Sequence, residues 1–431
     1  MVLSLPRGTS DFGPIDAIKL NAMRSTVEGV FRLFGFYPIE TPAIELMEVL
    51  NAKAYGEESK NEIYVLEGNE EGLRYDFTVP LSRFIAMNKD LQMPFKRYQI
   101  GNIWRKDEPQ KMRHREFMQA DIDIIGSAEV ASDAEVIAAA SMAIERLGLH
   151  TYNLFLNSRV FLDAILDMFN IPADKHSAVM RCIDKIEKLG VDEISSQIQK
   201  EGIDVFNAKG LLDFITKKYE SNTTLLMALE AAVPKAKDEI KRMTELLALL
   251  EKFGISGAVS IDLSLARGLE YYTGAVWELV AFSQGKRLPT LASGGRYDKL
   301  IGLYLKKDVP AVGFSIGITR VFDFLKEGSS ARTYATVYIA SIKKENLEYA
   351  IMVATSLRSS GIATDMNITE RSISKQMEYA NALKIPFVIV LGNIERQSNK
   401  VKLRNMQNGE EKMMSVEECI SELKSKNDVM K

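Results

Sequence analysis

Three segments carry arginines in contexts that suit a triphosphate: Arg105 in YQIGNIWRKDEPQKMRHREFMQADIDIIG, Arg267 in LARGLEYYTG and Arg320 in GFSIGITRVFDFL. A guanidinium is planar, keeps its charge at any physiological pH and donates hydrogen bonds in a fork, so it can clamp phosphates without a cradling backbone loop. Neither a GxxxxGK phosphate loop nor a convincing strand-GxGxxG-helix fingerprint occurs, so nucleotide binding falls to these side chains. Singly, each arginine reads as well as a surface ion pair; together they point to an enzyme that uses ATP. Between Arg105 and Arg115 the chain also sets Arg105, Lys106, Lys111, Arg113 and Arg115 against only Asp107 and Glu108. That stretch is either a basic patch facing nucleic acid or a solvated hairpin tip.

Such groups need elements to hold them. The segment 95–126 reads as two antiparallel strands joined by this charged loop. On the second strand Met118, Ala120, Ile122 and Ile124 share one face, and Phe117, Gln119, Asp121 and Asp123 share the other; on the first, Arg97, Gln99 and Arg105 fall together. One face is then apolar and backed by helices. The other is a polar floor suited to a cationic or amino-bearing ligand, or an ordinary solvent-exposed face. Upstream, apolar residues recur with helical period from Ile15 to Phe34, and Gly35 marks the stop. FYPIETPAIE, with Pro38 and Pro42, reads as an edge strand able to meet a partner subunit.

From about Phe161 to Leu250 the pattern is helical and charged, as an inserted helical segment would be. Strands are expected at VSIDLSLAR and AVWELVAF, with a turn at Gly285; Arg320 should sit in the first turn of a helix after a short strand. Beyond the polar tract KEGSSART, strands at YATVYIAS, ATDMN, IPFVIVLG and KVKLRNM alternate with helices, giving a compact α/β unit of about 100 residues without a phosphate loop. It reads as a binding domain.

With 431 residues, 46% hydrophobic and 26% charged, the chain has the composition of a globular protein of two or three domains. The N-terminal MVLSLPRGTSDFGP lacks a signal-peptide core, and no stretch approaches the roughly 20 apolar residues of a membrane span; a cytoplasmic protein is expected. Cys182 and Cys419 lie far apart, and His114, His150 and His176 form no ligand spacing with them, so neither a disulfide framework nor a zinc site is indicated. A net charge of -3 argues against a generally basic coat but leaves room for local patches.

Taken together, these segments resemble the signature motifs of class II aminoacyl-tRNA synthetases, and LARGLEYYTG followed by LASGGRYDKLI resembles the two histidine-specific motifs of the histidyl-tRNA synthetases. The likeness runs from Arg7 in PRGTSDFGP to about Leu325, with five segments in the family's order. LRYDFTVPLSR has the form of the archaeal and eukaryotic branch, and Glu270 stands where the motif usually has Asp. The resemblance implies an α+β catalytic domain over 1–325, built on an antiparallel sheet flanked by helices with an insertion at about 164–247. A linker at 326–333 and an α/β anticodon-binding domain over 334–431 would follow.

It also implies roles. Arg105 and Arg320 would bind the α- and γ-phosphates of ATP, Arg113 its tail, and Arg267 would bridge the histidine carboxylate and the α-phosphate. Asp76 and Tyr272 would face the imidazole; Thr78, Gln119 and Asp123 would surround the α-amino group. Tyr271 is either a pocket residue or core, and the segment Gly294, Gly295, Arg296, Tyr297 either lines the pocket or is a glycine turn. Gln110 and Lys111 would approach the tRNA acceptor end. Mg2+ would arrive with ATP, with no permanent metal, and a homodimer is implied. The expected reaction is ATP-dependent ligation of histidine to its tRNA. The alternative is a non-catalytic paralogue such as the histidine-sensing regulatory subunit of ATP phosphoribosyltransferase, which would lack the arginines and the C-terminal domain.

Overall fold

The computed structural model describes residues 3–51, 61–255, 259–266, 271–283, 286–325 and 332–430. Two compact units emerge, Met1–Ser10 with Ala22–Glu327, and Asp11–Asn21 with Gly328–Lys431. Among the described residues no helix is long and apolar enough to cross a membrane.

The larger unit is organised by a nine-stranded sheet. Its strands are β1 (Tyr37–Pro38), β4 (Phe95–Trp104), β5 (Glu116–Ile125), β6 (Tyr152–Ser158), β7 (Val259–Ile261), β8 (Ala275–Ser283), β9 (Lys286–Arg287), β10 (Ala292–Arg296) and β11 (Ala311–Gly317). A separate hairpin joins β2 (Ile44–Leu46) to β3 (Glu71–Leu73). The order across the large sheet is β1-β4-β5-β11-β10-β8-β6-β7, with β9 paired to β8. Most pairs are antiparallel; β1 with β4 and β6 with β7 are parallel. The FYPIE segment is therefore at a sheet edge, where Pro38 costs no ladder hydrogen bond. VSIDLSLAR yields only the short β7.

The charged loop joins β4 and β5 as the alternation requires, and the back of the pair is apolar: Tyr98, Ile100, Ala120, Ile122 and Ile124 are buried. The helix Val130–Arg146, rich in alanine, packs against β5 and β11; small side chains let it approach the sheet closely. Arg320 falls in the first turn of the helix Ile318–Phe324, directly after β11. The inserted segment is helical from Arg159 to Lys252, starting before and ending beyond the expected bounds. Gly285 and residues 326–331 of the expected linker lie outside the described residues.

The smaller unit is a three-layer α/β fold. Its strands β12 (Val337–Ser341), β13 (Thr364–Met366), β14 (Phe387–Leu391), β15 (Val401–Asn405) and β16 (Glu411–Met414) stand in the order β13-β12-β14-β15-β16. Alternation divides the core: Val337, Ile339, Phe387 and Ile389 meet Val353, Leu357, Cys419 and Leu423 on one side. Tyr338, Ala340 and Val388 meet Ala380 of the helix Ile373–Ala382 on the other. Both cysteines are buried and unbridged.

Candidate active site

Three neighbouring strands build the polar floor as a grid. Along β5 stand Asp123, Asp121 and Gln119; opposite them on β4 are Arg97, Gln99 and Gly101. On β11 they are Gly313, Ser315 and Gly317. The floor is not a solvent-exposed face: Arg97, Gln99, Gln119, Asp121 and Asp123 are all buried. The expected alternation was right, and the exposed alternative fails because other segments of the chain cover the floor.

Glycines shape this hollow. A Cβ on Gly313 would lie 2.0 Å from Asp123 Oδ1, and one on Gly295 would lie 2.7 Å from the Ala275 carbonyl and 2.9 Å from the Tyr272 ring. Gly295 faces Gly313 across the β10-β11 pair, so two missing side chains leave room for a carboxylate and a phenol ring side by side. Gly294 and Gly295 are thus strand residues, and the turn alternative for this segment is corrected: only glycine permits the close approach. At Gly294 a Cβ would collide with the Gly313 carbonyl at 2.1 Å.

Into the hollow come the expected ligand residues. The Tyr297 hydroxyl donates to Asp123 Oδ1, and Arg97 Nη2 is 2.5 Å from Asp123 Oδ2. Asp76 Oδ1 accepts from the Val79 N–H at 3.0 Å, capping the helix Thr78–Met87, whose first residue Thr78 is buried beside it. The rings of Tyr271 and Tyr272 meet edge to face with centroids 4.9 Å apart. Tyr271 is buried in the apolar cluster with Tyr75, Val79 and Tyr297, next to the ring of Tyr272. Burial, with the charges of Asp123, Asp121 and Asp76 adding to it, pushes the Tyr272 phenol well up, so it stays a neutral donor.

Electrostatically the floor holds more carboxylate than it neutralises. Burial drives the Asp121 carboxyl up to about 7 against the pull of Arg97, and the charge of Asp123 adds to the rise. Burial raises Asp123 as well, again opposed by Arg97. Three buried acids, Asp76, Asp121 and Asp123, around one fully buried guanidinium favour a ligand that brings positive charge or N–H donors.

The phosphate side is set by aromatic stacking and loop contacts. Arg105 lies over the rings of Tyr75 at 4.4 Å and Phe117 at 5.5 Å, and its Nε donates to the Tyr75 carbonyl at 3.2 Å. Arg320 Nε donates to the Met112 carbonyl at 3.1 Å, tying its helix to the loop; His114 and Asp323 make a second tie at 2.6 Å. Arg113 Nε donates to Asp107 Oδ2 at 2.7 Å. Burial pushes the Asp107 carboxyl up, but hydrogen bonds from Arg113 and Glu62 outweigh it and hold it low. Glu62 is raised by burial and by its hydrogen bond with Asp107. The loop is therefore no freely solvated tip, although Gln110, Lys111 and Arg113 remain exposed. Arg267 and Glu270 lie outside the described residues.

Arg296 departs from expectation. It is buried on the face of β10 away from Tyr297, where Nη2 and Nε reach Asp133 Oδ1 at 2.8 and 3.1 Å and Nη1 reaches the Ser127 carbonyl at 3.0 Å. Strand alternation is the reason: consecutive residues point to opposite sides of a sheet. Arg242 of the inserted helices is 3.5 Å from Asp133, and Glu239 lines the same small cavity. This ion cluster fastens the helix Lys237–Lys252 to the back of the sheet. Arg296→Met is expected to cost roughly 3 kcal/mol in urea unfolding, toward the low end for a broken buried pair. Burial already lifts Asp133 to about 6, so it can take up a proton instead of staying charged. Because its folded pKa is raised, the stability deficit of the variant should narrow as pH falls from 7 to 5; a deficit independent of pH would refute this account.

Several contacts of the site could not be read from the sequence. Alternation did place Arg97 and Asp121 on the floor, but nothing marked Tyr75 as the platform for Arg105. Nor did anything pair Glu62 with Asp107, since their contact depends on backbone pairing of Lys106 N–H to the Glu62 carbonyl at 2.7 Å.

Comparison with known proteins bears on the whole chain. The family model described as Histidyl-tRNA synthetase matches residues 8–321, and that for an Anticodon binding domain matches residues 336–426. A histidine–tRNA ligase of Korarchaeum cryptofilum is 36% identical over 411 residues, covering 93% of this chain and 94% of its own length. One of Clostridium tetani is 34% identical and covers 98% of each chain. The crystal structure of histidyl-tRNA synthetase from Nostoc sp. superposes with a TM-score of 0.85 at 29% identity, over 99% of this chain and all of that one (100%). A Bacillus halodurans structure titled as an ATP phosphoribosyltransferase regulatory subunit/histidyl-tRNA synthetase has a TM-score of 0.74 at 22% identity, over 88% of this chain and 97% of that one, and shares the fold. By sequence along nearly its whole length and by fold, this chain belongs to the histidyl-tRNA synthetase family.

Proposed function

We propose that the protein activates L-histidine with ATP to histidyl-adenylate and pyrophosphate, then passes the histidyl group to the terminal adenosine of the histidine tRNA. The observation that carries this reading is the buried acidic floor, Asp123 with Tyr297 and Gln119, with Arg105 directly after β4 and over the Tyr75 ring. A carboxylate oxygen of histidine attacks the α-phosphorus, the bond from the α-phosphorus to the α,β-bridging oxygen breaks, and the β- and γ-phosphates leave together as pyrophosphate. Arg105, Arg320 and Arg267 neutralise charge on the phosphoryl oxygens, which this step needs more than a general base. Arg113 takes the tail of the triphosphate, exchanging its bond to Asp107 for one to phosphate. Asp123, Asp76 and the neutral Tyr272 receive the imidazole and amino groups; leucine or phenylalanine would leave these buried groups unpaired, a penalty of about 10⁴-fold or more.

Mg2+ enters as the counter-ion of ATP. Glu62 and Asp107, a touching carboxyl pair beside Arg113, are hard oxygen donors of the kind it accepts and would hold it against the phosphates. The exposed Gln110 and Lys111 approach the acceptor end of the tRNA, and the smaller unit, residues 334–431, reads the anticodon. Residues 1–325 form the catalytic domain in this assignment. The edge strand β1, with Tyr37 66% exposed and Ile44 and Leu46 half-exposed nearby, supports a homodimer through this margin. The place of action is the cytoplasm, where charged tRNA is consumed.

Pyrophosphate exchange run with each of the twenty amino acids tests the reading. Histidine alone should support exchange, and Arg267→Ala should lower it about 10²- to 10³-fold. Exchange with a different amino acid overturns the specificity; full exchange by Arg267→Ala overturns the role of that arginine.

A further inference from the structure

Asp121 is the floor residue to which neither the motifs nor the reaction gives a task. It lies between Gln119 and Asp123 on β5, nearly inaccessible, and its Oδ1 accepts from Gln119 Nε2 at 2.7 Å. Ser315, opposite it on β11, also hydrogen-bonds it. The neighbours of Gln119 matter equally. Across β4 it faces Gly101 and across β11 it faces Gly317, neither of which has a side chain to grip an amide. On its own strand, two residues along, Asp121 is the group that orients it.

An amide presents a carbonyl oxygen at one end and an NH2 at the other, and an ammonium ligand is attracted by the first and repelled by the second. The Gln119 NH2 end donates to Asp121 Oδ1, as the ionised carboxylate, which accepts only, requires, and the carbonyl end is the one left to meet a ligand. We infer that Asp121 is a positioning residue for recognition of the substrate's α-amino group, holding the Gln119 amide with its oxygen toward the ammonium. This rests on the histidine-binding reading above. A bound ammonium also adds positive charge beside Asp121, Arg97 and Asp123, which favours the ionised, accepting form of Asp121. Asparagine at this position would keep the shape but could offer its own NH2, letting the Gln119 amide turn over.

The test compares two ligands on the intact protein: histidine, and imidazole-4-propionate, which lacks the α-amino group. In pyrophosphate exchange, Asp121→Asn should raise KM for histidine about 10- to 100-fold, the range for a lost hydrogen bond to a charged group. The maximal rate should change little, and the inhibition constant of imidazole-4-propionate should stay within about twofold. Ser315→Ala, which loosens Asp121 without altering charge, should move KM in the same direction by a smaller factor and serves should Asp121→Asn fold poorly. A KM unchanged in both variants overturns the inference. So does an inhibition constant that rises in step with KM, because general loosening of the pocket weakens both ligands alike. Absence of histidine-dependent exchange in the unaltered protein is a different result, and removes the underlying reading and this inference with it.

Discussion

Asp123→Asn should lower kcat/KM for histidine in pyrophosphate exchange about 10²- to 10³-fold, equivalent to roughly 3–4 kcal/mol. The residue stands where three interactions converge: it accepts from the Tyr297 hydroxyl, pairs with the fully buried Arg97, and occupies the hollow left by Gly313. Asparagine keeps the volume and can still accept from Tyr297, so lost charge and not lost shape should account for the effect. The fold has a reserve that limits the structural damage. Asp121 is raised to about 7 partly by the charge of Asp123, and without that charge it ionises more readily and compensates Arg97. The expected pattern is therefore a large loss of activity with a modest fall in unfolding temperature. A variant that unfolds at the assay temperature, or one that retains more than about a third of wild-type kcat/KM, would contradict this balance.

Arg105→Ala should reduce kcat for exchange about 10²- to 10³-fold while leaving histidine binding by calorimetry nearly intact, because its proposed charge acts on the nucleotide. Arg105→Lys is the sharper comparison. Lysine restores the charge, but a compact ammonium offers the rings of Tyr75 and Phe117 no planar, delocalised group and cannot donate in a fork. It should recover no more than about tenfold of the lost rate. Full recovery by lysine would show that charge alone suffices and that the aromatic platform is incidental.

Both expectations rest on neighbours that are far apart in the chain. Legibility in the sequence followed the same division. Period-two alternation across 95–125 exposed the polar face correctly, since pleating alone dictates which residues share a side. The helix Pro14–Leu33, the strand-to-helix step before Arg320 and the alternating elements of the smaller unit were legible on similar grounds. The strand Tyr152–Ser158 and the helix Val130–Arg146 were not. Both are buried on most sides, so neither shows a clean polar face, and a segment enclosed all round carries little periodic signal.

Arg296 and Tyr297 make the contrast sharpest. Adjacent in one motif, they were expected to line one pocket; the sheet sends Tyr297 to Asp123 and Arg296 to Asp133 on the opposite side. By itself the sequence determined most of the element types, the polar side of the central hairpin and, through its motifs, the family. Tertiary structure alone decided that this polar side is buried, that Gly295 and Gly313 open the space for Asp123 and Tyr272, and that Tyr75 lies beneath Arg105. The physical reason is range. Pleat and helix period act over a few residues of chain, whereas desolvation, ion pairing and the room a missing Cβ provides depend on atoms that only folding brings within a few ångströms.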